Sequence, residues 1–189
     1  MLQGIKEDSQ WLSRMVENLL AVTRIDSKNV KIIKTETVLD ELVDSILVKF
    51  RKRYPHQEVR IDIPEDFIVI PMDAILIEQV VINLLENAVE HAKGMTELLL
   101  RVFVKGNKII FQVKDNGCGI EEEKLKNIFT GQFYKDQIPV DGSKNNAGIG
   151  LSVCATIIKA HGGKIQAANL KEGGCEFKFV LDIDEVSNE

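Results

Sequence analysis

The chain has 189 residues, of which 44% are hydrophobic and 28% are charged, and its formal net charge is −5. This size and composition predict one soluble domain with a small additional element, and the acidic balance excludes the basic surface of a nucleic-acid-binding protein. No apolar run reaches the length that spans a bilayer, and no signal-peptide pattern opens the chain. The 3 cysteines and 3 histidines are widely scattered, which favours reduced thiols over a disulfide framework or a zinc site.

The first predicted element is a helix over residues 5–25. Its apolar residues follow the three-four spacing of a bundle or coiled-coil seam: Ile5, Leu12, Met15, Leu19 and Val22. One helix cannot bury such a seam alone, so it packs either on the unit that follows or on a partner outside the chain. The polar stretch "DSKN" ends the pattern, and we therefore place a boundary between residues 1–29 and residues 30–189.

The second unit begins with a mixture of strands and helices. Strands are predicted over residues 30–34, 59–63 and 67–70. Thr37 and Asp40 resemble a capping box that opens an amphipathic helix toward Phe50. Asp73 is the predicted N-cap of a long helix over residues 74–92.

The rest of the unit alternates hairpins with helices. Strands at 98–104 and 108–114 flank Gly106-Asn107, a typical hairpin turn, and a second hairpin joins 164–169 to 175–183. Helices are predicted over residues 121–129 and 150–160. The polar stretch 131–147 is long for a structureless loop, as lids and binding loops are. These elements predict an α+β fold in which helices cover one face of a sheet.

Polar residues interrupt the long helix on one face. Asn83, Asn87 and His91 are spaced by four, so they share that face. An amide oxygen suits a magnesium ion that also holds phosphate oxygens. The alternative is a solvated polar stripe.

Two glycine clusters add to this pattern. The strand over 108–114 runs into Asp115, Gly117 and Gly119, which is either ordinary turn chemistry or a backbone that lets a ligand approach closely. Gly148 and Gly150 lie where the long loop meets a helix, so free N–H groups there would face an anion. This second cluster matches neither a Walker A nor a Rossmann motif.

Four segments in this order resemble the boxes of a known family: "NLLENAVEH" (83–91) the N box, "DNGCGI" (115–120) the G1 box, "IFTGQFYK" (128–135) a modified F box and "NAGIGL" (146–151) the G2 box. Over roughly residues 31–182 the chain resembles the catalytic, ATP-binding half of bacterial sensor histidine kinases. That family has the Bergerat nucleotide fold shared with gyrase, Hsp90 and MutL. The resemblance implies a two-layer α/β sandwich with a mixed sheet, preceded by one long N-terminal helix.

The opening helix narrows the resemblance. "QWLSRMVENLLAVTRID" (10–26) is similar to the second helix of the dimerisation and phosphoacceptor domain, with wording closest to the KdpD-type potassium and turgor sensor kinases.

The resemblance also implies a role for each box. Asp115 would accept a hydrogen bond from the adenine amino group, Gly117 and Gly119 would bend the backbone around the base, and Ile120 would lie against its face. Asn87, assisted by Asn83, would coordinate the magnesium that bridges the phosphates. Residues 131–147 would form the ATP lid. The expected site of ATP and Mg²⁺ comprises Asn83, Asn87, His91, Asp115, Gly117, Gly119, Ile120, Lys135, Ala147, Gly148, Ile149, Gly150 and Leu151.

The implied activity is transfer of the γ-phosphoryl group of Mg-ATP to a histidine on the first dimerisation helix, and then to an aspartate of a response regulator. The parent protein would be a homodimer at the cytoplasmic face of the bacterial membrane, whereas this soluble fragment would be a monomer or weak dimer. None of His56, His91 and His161 lies in an acceptor motif. We therefore expect a fragment that begins after the phosphoacceptor helix.

Two alternatives remain open at this point. Another Bergerat ATPase, such as a MutL-like or chaperone-like machine, would need a general-base glutamate where this chain has Asn83. A degenerate nucleotide sensor without kinase activity is suggested by Glu90, where relatives usually carry lysine, and by Asn146 in place of the first G2 glycine.

Overall fold

The computed structural model describes residues 32–130 and 147–183, with the side chains of the second range described from Gly150 onward. The helix predicted over residues 5–25, Lys135 and most of the predicted lid lie outside the described residues. Within these ranges the elements in chain order are β1 (Thr35–Val38), α1 (Leu39–Arg53), β2 (Arg60–Asp62), β3 (Val69–Met72), α2 (Ala74–His91), β4 (Leu98–Lys105), β5 (Lys108–Asp115), α3 (Glu122–Leu125), α4 (Ala147–Ala160), β6 (Lys164–Asn169) and β7 (Cys175–Asp182).

The main sheet is mixed and has five strands in the order β2-β4-β5-β7-β6. β2 runs parallel to β4, and the other neighbours pair antiparallel. β1 and β3 form a separate two-stranded antiparallel ribbon. The predicted α+β class and mixed sheet are confirmed.

The sheet has one apolar and one polar face, because successive strand residues point to opposite sides. On the apolar face Phe111 of β5 stacks on Phe179 of β7, with ring centroids 4.6 Å apart. These rings belong to one buried cluster with the apolar faces of α1, α2 and α4. On the polar face Lys114 and Glu176 form an ion pair at 3.0 Å. The predicted sandwich with helices on one face is therefore confirmed.

Two local predictions near the start of the unit are wrong. Among the described residues the first strand is β1 at Thr35–Val38, whose register pairs Thr35 with Met72 of β3, and residues 32–34 of the predicted strand lie outside it. Thr37 lies inside that strand and donates a hydrogen bond to the carbonyl of Thr35 at 3.0 Å, so it does not cap α1. Pairing with β3 overrides the local capping pattern.

Two helix bounds also differ from the predictions. α3 covers only Glu122–Leu125 of the predicted 121–129. α4 is already helical at Ala147, three residues before the predicted start at Gly150. Glycine lowers helix propensity, but the helix nevertheless includes Gly150, which packs against Asn83 of α2.

Asp73 and the first hairpin agree with prediction. The carboxylate of Asp73 accepts the N–H of Leu76 at 3.2 Å and so caps α2. Gly106 turns the β4–β5 hairpin with φ of 64°. None of the helices in the described part of the chain is long and apolar enough to cross a membrane.

Candidate functional site

The amide of Asn87 is oriented by its own helix. Its Nδ2 donates to the backbone carbonyl of Asn83, one turn earlier, at 2.8 Å. Its Oδ1 receives no hydrogen bond from the described residues, and it is therefore the atom left for a ligand. An amide oxygen is a hard, neutral donor of the kind that Mg²⁺ accepts.

Asn83 joins α2 to α4. Its Nδ2 lies 3.8 Å from the Cys154 sulfur, and a Cβ built on Gly150 would lie 3.8 Å from the Asn83 side chain. Burial raises the pKa of Cys154 to about 12, although the hydrogen bond from Asn83 acts in the opposite direction. The Cys154 thiol is therefore neutral, and the N box and the G2 helix pack side by side here.

The acidic residues of α2 lie on the side of the helix that packs against α1, and not on the face that carries Asn83 and Asn87. Arg53 forms an ion pair with the buried Glu86 at 2.8 Å. One turn further on, the hydroxyl of Tyr54 donates to Glu90 at 3.1 Å. Glu90 thus continues the line of contacts between the two helices.

Asp115 ends β5 with a buried carboxylate. Its Oδ1 accepts the N–H of Gly117 at 2.9 Å, and its Oδ2 accepts the thiol of Cys175 at 3.0 Å. Burial raises the pKa of Cys175 far above its ordinary value, and the adjacent Asp115 adds to this shift. The thiol therefore stays protonated as a donor. A carboxylate accepts about four hydrogen bonds, so Asp115 can take a further one from a ligand.

The turn after Asp115 touches the end of α2. A Cβ on Gly117 would come within 2.7 Å of the Ala92 side chain, so only glycine fits there. Gly119 adopts a φ of 73°, a left-handed conformation that favours glycine. These two positions seat the turn directly against the C-terminal end of the N-box helix.

Two asparagines that were not predicted as site residues hold this turn. Asn116 accepts the N–H groups of Thr96 and Glu97 at 2.8 and 2.9 Å. Asn169 accepts the N–H of Ile120 at 2.8 Å and donates to its carbonyl at 2.6 Å. The local turn bond that the sequence neighbourhood indicated is made by Asp115 to Gly117, whereas Asn116 bonds a segment about 20 residues earlier in the chain. Asn169 ends an ordinary strand, and nothing in the local sequence marks it.

The F and G2 boxes are described in part. Phe129 of the F box packs edge-on against Phe177, with centroids 6.2 Å apart. Ala147, Gly148 and Ile149 form the first turn of α4, and Leu151 is buried behind it. The N–H groups of a first helical turn have no partner within the helix, so they can bind an anion.

Two of the histidines lie near α2 but differ in their surroundings. His91 is the last residue of α2, and its side chain is exposed at the surface. Partial desolvation of the ring nevertheless lowers the pKa of His91, and the Glu90 carboxylate opposes that shift. His161 is buried, its Nε2 accepts the N–H of Asp73 at 3.2 Å, and its Nδ1 lies 2.8 Å from the carbonyl of Ile157. Desolvation lowers the pKa of His161. The neutral ring therefore ties the end of α4 to the start of α2.

Within the described part of the chain, the predicted residues of α2, the turn after Asp115 and α4 line one continuous region. α2 contacts α4 at Asn83 and the turn after Asp115 at Ala92, and Asn87 lies between these contacts. Eight residues of helix separate Asn83 from His91, which is about 12 Å. A ligand along this face would meet a buried acid at one end and a helix N-terminus at the other.

The family follows from a comparison with known domains. A family model described as "Histidine kinase-, DNA gyrase B-, and HSP90-like ATPase" matches residues 72–185. The chain belongs to this family of ATPases. Its match begins just before α2 and includes each of the boxes, so nucleotide use is established at the level of the family.

Individual relatives and structures are consistent with this. The chain is 38% identical over 179 residues to the sensor protein KdpD of Clostridium acetobutylicum. This alignment covers 95% of this chain and 20% of that protein. The predicted likeness to KdpD-type kinases is confirmed, and the chain spans about a fifth of that relative's length.

Two solved structures share the fold. The histidine kinase AdeS of Acinetobacter baumannii superposes with a TM-score of 0.73 at 22% identity, covering 97% of this chain and 84% of that one. The histidine kinase ThkA, in complex with the response regulator TrrA, superposes with a TM-score of 0.70 at 25% identity, covering 95% of this chain and 50% of that one.

Proposed function

We propose that this chain is the ATP-binding catalytic domain of a two-component sensor histidine kinase. In this proposal residues 30–189 bind the nucleotide, and residues 1–29 are the second helix of a dimerisation domain. The observation that carries the proposal is the buried carboxylate of Asp115, held by Gly117 and Cys175 at one end of the asparagine face of α2.

Asp115 would read the nucleobase. A carboxylate that already accepts two hydrogen bonds is fixed in orientation, and a remaining lone pair can accept from the exocyclic amino group of adenine. A base with a carbonyl in that position would place two acceptors face to face. The fixed acid therefore favours adenine over guanine, and Gly117 and Gly119 let the ring approach the backbone.

The other end of this asparagine face, where Asn83 meets the first turn of α4, would hold the phosphates. The N–H groups of Gly148 and Gly150 lie in the first turn of α4, and Lys135 would add a cation from the lid. Among the described residues there is no cluster of three or more histidine, cysteine or acidic side chains that could hold a metal. Oδ1 of Asn87, which accepts no hydrogen bond from the described residues, would hold a magnesium ion, with Asn83 assisting. When bound, that ion would neutralise phosphate charge.

The transfer itself requires little covalent help from the protein. The bond between the γ-phosphorus and the β,γ-bridging oxygen breaks to release ADP, and a phosphorus–nitrogen bond forms with a histidine on a phosphoacceptor domain. A response-regulator aspartate would then receive the group, in a parent that we propose to be a homodimer anchored at the cytoplasmic face of the membrane. ThkA, solved with its regulator TrrA, supports this kind of partner.

The two alternative functions are not favoured by these contacts. An ATPase that uses a glutamate as general base would need that glutamate at position 83, where this chain has Asn83. The amide of Asn83 instead contacts Cys154. Glu90, one motive for a degenerate sensor, accepts a hydrogen bond from Tyr54 on the α1 side of the helix.

Titration calorimetry with ATP, with and without Mg²⁺, tests the proposal. We expect saturable binding that strengthens with Mg²⁺ and that exceeds the binding of GTP. Absence of ATP binding by the folded chain would contradict the proposed function.

A further inference from the structure

The hairpin of β6 and β7 holds both ends of the G1 turn, which we define as residues 115–120. Asn169 and Cys175 face each other in the register of this hairpin. Cys175 donates its thiol to Asp115 at the first residue of the turn. Asn169 bonds to Ile120 at the last one.

Asn169 and Ile120 form two hydrogen bonds, like a pair of residues on neighbouring β-strands, except that Asn169 uses its side-chain amide. The side-chain Oδ1 accepts from the backbone N–H at 2.8 Å, and Nδ2 donates to the carbonyl of the same residue at 2.6 Å. At neutral pH a primary amide supplies an acceptor and a donor side by side in this way, whereas an ionised carboxylate supplies acceptors only. Aspartate has the same shape but would set a carboxylate oxygen against the carbonyl.

Close packing keeps the turn and the hairpin in register. A Cβ on Gly174 would overlap the carbonyl oxygen of Asp115 at 1.9 Å, and a Cβ on Gly119 would lie 3.0 Å from Oδ1 of Asn169. Gly119 also has a φ of 73°. The hairpin therefore lies directly beneath the turn at both ends.

We propose that Asn169 is a positioning residue for nucleobase recognition. It acts through Ile120: by fixing that backbone before a ligand arrives, it spares the turn an ordering cost on binding. It would touch neither the phosphates nor the metal. This inference rests on the proposed function, because it assigns Asn169 to the base end of that same site.

The test is Asn169→Asp, compared with Asn107→Asp in the exposed β4–β5 turn as a matched control. Affinities for ATP, GTP and adenosine are measured by calorimetry, with and without Mg²⁺, well below each variant's melting temperature. We expect Asn169→Asp to weaken ATP and adenosine by about tenfold each, to reduce the preference for ATP over GTP, and to leave the effect of Mg²⁺ on ATP affinity unchanged. The control should match the wild type.

Other outcomes overturn the inference. If Asn169→Asp melts earlier but binds adenosine and ATP as the wild type does, Asn169 is structural only. A loss confined to the Mg²⁺-dependent part of ATP binding would place Asn169 at the phosphate end. If the wild type binds no ATP, the proposed function fails first, and the inference fails with it.

A second measurement does not depend on the stability of the variant. Hydrogen exchange of the Ile120 amide in the wild-type protein should be slow without ligand and slower with adenosine. Exchange at the rate of an unprotected amide would show that the Asn169 bond does not hold the turn, and the inference would be wrong.

Discussion

The thiol of Cys175 donates a hydrogen bond to Oδ2 of Asp115 at 3.0 Å, from a strand 60 residues further along the chain. Because the Gly117 N–H holds the other carboxylate oxygen, the acid has one orientation. The proposed nucleotide site is thus built jointly by a local turn and by the β6–β7 hairpin.

Cys175→Ala should weaken ATP binding by about two- to tenfold, because it removes one of the two donors that orient Asp115. Cys175→Ser retains a donor of similar size and should bind nearly as the wild type does. Calorimetry with ATP and adenosine measures both variants. Equal affinities for the alanine and serine variants would remove the thiol from the orientation of Asp115.

Asp115→Asn should weaken ATP by about ten- to hundredfold, because a charge-assisted acceptor is lost and an amide donor can face the adenine amino group. Asp182→Asn makes the same chemical change in an exposed pair with Lys108, at the other end of the β5–β7 pairing. That control should leave affinity unaltered. Wild-type affinity in a folded Asp115→Asn protein would mean that this acid does not bind the base.

Asn87→Ala should act through the metal. The variant loses the Oδ1 that we assign to Mg²⁺, so Mg-ATP should bind much more weakly while adenosine, which has no phosphates, binds normally. Asn107→Ala serves as the control for the same truncation on the surface. If ATP and adenosine weaken equally, Asn87 supports the helix rather than the ion.

The free energy of unfolding should decrease as the pH is lowered, because of His161. Its folded-state pKa is below the ordinary 6.5, mainly through burial, with Lys34 adding to the shift; the hydrogen bond to Ile157 and the Asp73 carboxylate act in the opposite direction. A lowered folded-state pKa means that the unfolded chain takes up the proton first. The stabilisation is therefore complete above pH 6.5 and is lost as the pH falls below it.

Urea unfolding between pH 7.5 and 5 measures this effect. The wild type should lose stability over that range, and His161→Gln, which has no titrating ring, should lose less. The pKa of His91 is also lowered. The variant His91→Gln is therefore the matched comparison, because it measures how much of the loss of stability comes from His91 instead of His161. A steeper loss in His161→Gln than in the wild type would contradict the neutral assignment of His161.

The parts of the site that the sequence predicts are those encoded within one element. Asn83 and Asn87 share a helix face because of their spacing, and Asp73 caps that helix from the adjacent position. Asp115, Gly117 and Gly119 mark a turn that the backbone conformation of Gly119 bears out.

What the sequence does not reveal depends on strand pairing between distant segments. Asn169 reaches Ile120 across 49 residues only once β6 has paired with β7. Pairing with β3 likewise places Thr37 in β1, although its spacing from Asp40 is that of a cap. A local pattern cannot show which tertiary contact overrides it.

Phosphoryl transfer from the proposed site is measured by incubating the chain with γ-labelled ATP and Mg²⁺, with and without an added phosphoacceptor domain from a KdpD-type kinase. The chain alone should stay unlabelled, because an acceptor must approach the γ-phosphorus in line within about 3–3.5 Å. His161 is buried between two helices, and His91 is on the helix that we propose to hold the nucleotide. His56 is the remaining histidine of the chain, and the variant His56→Ala therefore serves as the control. We expect acid-labile label on the added domain, and much less label with Asp115→Asn at an ATP concentration that does not saturate this variant. Label on the chain by itself that disappears in His56→Ala, or an unlabelled acceptor domain despite saturating Mg-ATP binding, would contradict it.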